Sequence, residues 1–111
     1  MTGSPYLTTL ADTATTITAA GNDASGATPI NSVLQYVNGS GGILLPTDQT
    51  NFTGYGDNSN VNPQAVTLIS ATDTDVNVYA VDGSVRTILS AGTSCRLEPG
   101  GSDSWALIKL Y

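Results

Sequence analysis

The chain has no histidine, one cysteine and only three lysines plus arginines in 111 residues. Each scarcity excludes something. Without histidine the usual base of a nucleophilic triad is missing, and neither Lys109 nor a carboxylate flanks a Ser or Cys in a recognisable motif. Zinc is equally poorly served. Arg86, Arg96 and Lys109 are too few to hold a phosphate backbone, and nine Asp plus Glu bring the net charge to -6, which speaks against nucleic acid as a partner. Cys95 has no second cysteine to pair with, and in the strand-like "TSCRL" it reads as a small buried hydrophobe. No window approaches the roughly 20 apolar residues of a membrane span, and "MTGSPYLTTLADT" lacks the basic and apolar regions of a targeting signal. Asn38-Gly39-Ser40 and Asn51-Phe52-Thr53 match the glycosylation pattern, which without a secretory signal reads as chance.

Charge of either sign is scarce too. Charged residues make up 11% of the chain, against about 25% in an average protein. The surface must then be Thr, Ser, Asn, Gly and some apolar side chain, a composition suited to being covered by neighbours. The chain reads as a component of an assembly.

What is present is a succession of short strands. The clearest pair lies in "DVNVYAVDGSVRTILSAGTSCRLEPGG", residues 75 to 101. A tight turn at Asp82-Gly83 would pair Ala80 with Val85, Val78 with Thr87 and Val76 with Leu89 on an apolar face. The alternate face would then carry Tyr79 opposite Arg86 and Asn77 opposite Ile88. Further strands are expected at 14–21, 43–46, 65–71, 93–98 and in "WALIKLY". "INSVLQYV" at 30–37 has helical spacing but β-branched content with flanking Pro and Gly, and favours a strand. About seven or eight short strands separated by turn signals predict one all-β domain over 1–111, a small antiparallel β-sandwich or jelly-roll-like barrel. No internal repeat is evident.

Two segments stand outside that pattern. Residues 1–13, with Tyr6 and Leu7, form either a short edge strand or an arm laid on a neighbouring subunit. Residues 47–64 form a long irregular loop of the kind that is usually functional or ordered by a partner. Tyr55, between two glycines, and Phe52 are its candidate contact aromatics. Tyr79 and Arg86 are candidates on the outer sheet face, as a stacked pair. Trp105 reads as a core or interface anchor. Asp73-Thr74-Asp75-Val76-Asn77 copies the start of a calcium loop, but Val78 stands where glycine is required and Ser84 where the bidentate glutamate belongs, so these are turn carboxylates. No pair of carboxylates is singled out for glycoside hydrolysis. The chain is read as non-enzymatic, with no cofactor.

The order "GGILLP", "AVTLISATDTDVNVYAVDG", "ILSAGTSCRLEPGGSDSWALI" resembles the small β-sandwich domains of tailed-bacteriophage virion structural proteins, over roughly residues 42 to 110. There a strand runs through "VNVY" into a Gly turn, "AGT" precedes the next strand, and a Trp closes the domain. The resemblance is greatest to head decoration (cement) proteins. It implies a homotrimer on the outer capsid surface of the virion, bound to the major capsid protein and needing neither nucleic acid nor membrane. The N-terminal arm and the 47–64 loop would then supply the contacts. The alternative expectation is a tail- or fibre-associated module that recognises a host glycan or receptor.

Overall fold

The computed structural model describes residues 9–46, 51–52, 65–99 and 105–110. Among these there is no helix, and the all-β sandwich expected from the strand and turn signals is what forms. The strands are β1 (Thr9–Leu10), β2 (Thr15–Ala19), β3 (Thr28–Pro29), β4 (Leu34–Gly39), β5 (Gly41–Leu44), β6 (Asn51–Phe52), β7 (Val66–Ser70), β8 (Val76–Tyr79), β9 (Val85–Leu89), β10 (Ser94–Pro99) and β11 (Trp105–Leu110). One sheet has the order β11-β10-β7-β4-β2, the other β3-β5-β8-β9, and β1 pairs with β6 in a small separate ribbon. The ribbon brings the N-terminal arm beside the start of the long loop, with Thr9 opposite Asn51 and Leu10 opposite Phe52.

Strand direction departs from the antiparallel expectation. In the larger sheet β2, β4 and β7 run parallel, and in the smaller so do β3, β5 and β8. The cause is the path of the chain. It lays a strand in the larger sheet, crosses to the smaller, and returns one position further along, so successive passes stack in the same direction in both sheets. Three passes, β2 with β3, β4 with β5 and β7 with β8, form a short coil of repeated units. The last three strands pair antiparallel, β9 with β8, β10 with β7 and β11 with β10, so β9 and β10 run against the passes and β11 along them. The repeat is structural and leaves no periodic residue pattern, because each crossing has a different length.

The tightest crossing needs glycine. Gly41 has φ +115°, and a Cβ there would come within 2.6 Å of the Gly21 carbonyl oxygen in the pass beneath. Beside it, the amide and carbonyl of Gly42 exchange hydrogen bonds of 2.9 and 3.0 Å with Ala20. One pass is thereby seated on the next.

The core follows the period-2 rule. Val37, Val66, Leu68, Cys95 and Leu97 point inward from the larger sheet, and Ile43, Val76, Val78 and Leu89 from the smaller. Leu10, Ile30, Leu45 and Trp105 close the ends. Three polar residues are buried among the described ones, Ser32, Gln35 and Ser70. Gln35 is fully buried, its amide donating to the Thr15 carbonyl and hydroxyl at 2.9 Å each while its Oε1 accepts from the Asn31 amide at 2.9 Å. Each polar end is satisfied, so the burial carries no orphan penalty and ties the first pass to the second.

The hairpin corrects one register. Val76–Leu89, Asn77–Ile88 and Val78–Thr87 pair as expected, but Tyr79 then faces Val85 rather than Arg86, and Ala80 does not pair with Val85. The turn is one residue longer than a two-residue loop. The Gly83 amide donates to the Ala80 carbonyl and the Ala80 amide to the Ser84 carbonyl, both at 2.9 Å, with Gly83 at φ +93°. That is a three-residue loop with glycine in the left-handed position, and its extra residue appears as a bulge at Arg86. Asp82 caps the loop by accepting from the Ser84 amide at 2.9 Å and hydroxyl at 2.7 Å. The Ser84 hydroxyl and then its amide hold the Asp82 carboxyl below the usual range.

Tyr79 is 6% exposed, which overturns its expected place on an open face. Its ring lies over Gly42: a Cβ on Gly42 would meet the ring at 2.5 Å and the Ala27 methyl at 3.4 Å. Gly42→Ala should therefore force the ring aside and destabilise the fold by about 1–3 kcal/mol, whereas Gly26→Ala, which meets nothing closer than 3.4 Å, should leave the melting midpoint nearly unchanged. Thermal melts of the two variants check this.

Cys95 is buried as expected, and burial pushes its thiol up to about 11. The unfolded thiol loses its proton near about 8.5, so between that pH and about 11 the folded chain holds the extra proton and stability falls as pH rises. A thiol reagent at pH 8 should leave the folded protein unmodified and label it stoichiometrically in denaturant. Rapid labelling without denaturant would contradict this burial.

Candidate interaction surface

The surface is built around Trp105. Its side chain is 1% exposed, and its Nε1 donates to the Pro46 carbonyl at 2.9 Å. Its own carbonyl accepts Nε of Arg86 at 3.0 Å and Nη2 at 2.9 Å, while Nη1 of Arg86 reaches the Ser84 hydroxyl at 3.4 Å. The bulge thus aims Arg86 across the gap between the sheets, so that the guanidinium of β9 holds the first residue of β11. Trp105 is an anchor of the core, in line with the sequence expectation. The Arg86–Tyr79 stack does not form, since Arg86 is half-buried and committed to Trp105.

Beyond Trp105 the strand leaves cover. The other five residues of β11 are exposed, among them Leu107 at 39%, Ile108 at 52% and Leu110 at 60%. β10 lies on one side of β11, and no described strand lies on the other. On the neighbouring edge strand β9, Val85 and Ile88 are about half exposed. Scattered exposed apolar residues are ordinary, but a run of them on a strand that is an edge among the described residues is a candidate pairing surface. Arg96 and Lys109 sit opposite each other across β10 and β11, beside an Arg96–Glu98 ion pair of 3.7 Å. Two of the chain's three basic residues therefore mark this edge.

The other candidates fall elsewhere. Tyr6, Leu7 and Tyr55 lie outside the described residues, and for Phe52 only the backbone in β6 is described. The calcium-like segment is a corner between sheets: the Thr74 hydroxyl donates to the Gly39 carbonyl at 2.9 Å, and Asp75 accepts the Ala91 amide at 3.0 Å. Asp75 is thus a turn-capping carboxylate. Asp23 likewise closes its own loop, and the Gly26 amide, followed by the Ser25 hydroxyl, lowers its pKa. Among the described residues no group of three or more Cys, Asp and Glu is placed to hold a metal ion, and no helix is long and apolar enough to cross a membrane.

Sequence reasoning missed the β11 edge because "WALIKLY" reads as an ordinary closing strand. The available signal was its composition, with apolar residues at 107, 108 and 110 and so no clean alternation. Comparison with protein-family models, with curated proteins and with solved structures gave no match.

The clasp makes a direct prediction. Arg86→Ala removes two charge-assisted bonds to one carbonyl and should cost about 2 kcal/mol, with a change in the near-ultraviolet dichroism of the single tryptophan. Arg86→Lys cannot reproduce the fork and should recover less than half of the loss in a denaturant titration.

Proposed function

We propose that the chain is a non-enzymatic structural component of a bacteriophage virion, which binds the outside of the capsid lattice as an oligomer and stabilises it. The observation that carries this reading is the β11 edge, a run of exposed apolar residues with no described strand on its outer side, presented by the Arg86–Trp105 clasp. Such an edge suits a protein whose working state is assembled. The low charge content and the resemblance of residues 42–110 to virion sandwich domains point the same way. A net charge of -6 is repelled by packaged genome, which favours the outer face of a shell.

The mechanism requires no chemistry. A domain that binds the assembled lattice more tightly than free shell subunits shifts the equilibrium toward the lattice by linkage. Several joined copies strengthen attachment through effective concentration without a strong single contact. The major capsid protein is the proposed partner, and the β1–β6 ribbon, where arm and loop meet, is the proposed attachment region.

The test is the number of copies per purified particle, measured by gel densitometry against the major shell protein. Near-stoichiometric copies are expected. A handful per particle would overturn the lattice role and favour a tail or fibre module that recognises a glycan or receptor.

A further inference from the structure

We propose that the outer face of β2, β4 and β7, centred on Tyr36, binds an uncharged glycan, with the apolar side of one sugar ring laid on the tyrosine ring. This is a property of the isolated chain and does not depend on where the protein works, since the β1–β6 ribbon and the β11 edge are other surfaces.

The geometry comes from register. Gln35, Val37, Val66 and Leu68 point into the core, so the residues that alternate with them point out. On that outer face Tyr36 lies between Thr16 and Ile69, Asn38 lies beside Thr18, and Leu34 beside Thr67. Tyr36 is exposed whereas Tyr79 and Trp105 are buried, so among the described aromatic side chains it alone offers a ring to a ligand. Strands lie about 4.8 Å apart, and alternate residues about 7 Å apart along a strand. Thr16, Thr18 and Asn38 are thus within reach of the hydroxyls at the rim of a sugar ring stacked on Tyr36. Beneath the face, Gln35 ties β4 to Thr15 of β2 and to Asn31, so the platform is fixed before a ligand arrives.

Two properties of the face select the ligand. The first is unused hydrogen-bonding capacity. Elsewhere the hydroxyls are committed to the chain, as those of Thr28, Ser32, Ser70, Thr74 and Ser84 are. Here the side chains of Thr16, Thr18, Tyr36, Asn38 and Thr67 bond to no other part of the described chain. Hydroxyl and amide groups both donate and accept, as sugar hydroxyls do. The second is charge. β2, β4 and β7 carry no charged residue in a chain of net charge -6. Arg96, which faces Thr67 from β10, is already paired with Glu98. An anionic glycan finds no free counter-charge on this platform, whereas a neutral one covers no charged group and loses none of its solvation. A second copy fits less well, because only the half-buried Leu34 and Ile69 flank Tyr36, too little apolar surface for an interface core.

The test is binding of the full chain to a microarray of neutral oligosaccharides, with sialylated and sulfated ones alongside, followed by nuclear magnetic resonance titration with the neutral oligosaccharide that binds. The resonances of Thr16, Tyr36 and Asn38 should move, and the dissociation constant should stay the same as salt is raised. Tyr36→Phe should keep the affinity within about threefold, while Tyr36→Leu, which keeps an apolar side chain but no ring, should weaken it about tenfold. Thr16→Val removes one hydroxyl from a strand position that suits valine and should cost about threefold. The resonance map is read on the unaltered chain and so does not depend on any variant folding. No neutral glycan bound, a preference for the anionic ones, resonances moved only on another face, Tyr36→Leu binding as the parent does, or a two-copy particle that covers Tyr36 in place of glycan would each overturn the proposal.

Discussion

The fold depends on the junction at Trp105. Its indole N–H is satisfied by Pro46, at the exit from the second pass, and its carbonyl by Arg86, on the edge of the opposite sheet. Three distant stretches of chain are thereby tied at one buried point. The stacked passes are held internally by their own ladders and by Gln35, and β9 and β10 by their ladders with β8 and β7, but β11, whose ladder is with β10, is tied to the passes through Trp105. Each bond would be modest alone. Together they fix where β11 begins, and so which of its side chains lie beyond the core.

The coil of parallel passes explains why so small a chain needs no cross-link. Every pass adds a strand to both sheets, so apolar residues in one sheet always find those of the other across the core. Gln35, Tyr36 and Val37 of β4 are paired on both sides, with β2 and with β7. A buried central strand of this kind tolerates Gln35 because nearby backbone and side-chain groups complete its hydrogen bonds. The cost of this architecture falls at its ends, where β2 and β11 have a neighbour on one side only among the described strands.

Much of this was legible in the residues, and the failures have physical causes. Alternation in "VNVY" and "VRTIL" gave three hairpin pairs correctly, and the strand choice for 30–37 is met over its second half, where β4 begins at Leu34. Alternation reports which face a residue occupies but carries no direction, so the parallel stacking was hidden. Asp82-Gly83 signals a turn without setting its length, and the one extra residue moved Arg86 from a partner of Tyr79 to a clasp on Trp105. The Tyr79 ring packs over Gly42, far away in sequence, and no local pattern announces it. The interaction surface was the least legible part, because exposure of an edge is a property of the whole topology.

The segment between the second and third passes is anchored at both ends. The Leu45 amide donates to the Tyr79 carbonyl at 2.8 Å, the Pro46 carbonyl accepts from Trp105, and Val66 is fully buried at the start of β7. Within it, Asn51 and Phe52 pair with Thr9 and the core residue Leu10, so a third point is held as well. Added length costs little in closure entropy, about 0.6 kcal/mol per doubling, but only an insert that leaves all three points in register escapes any further cost.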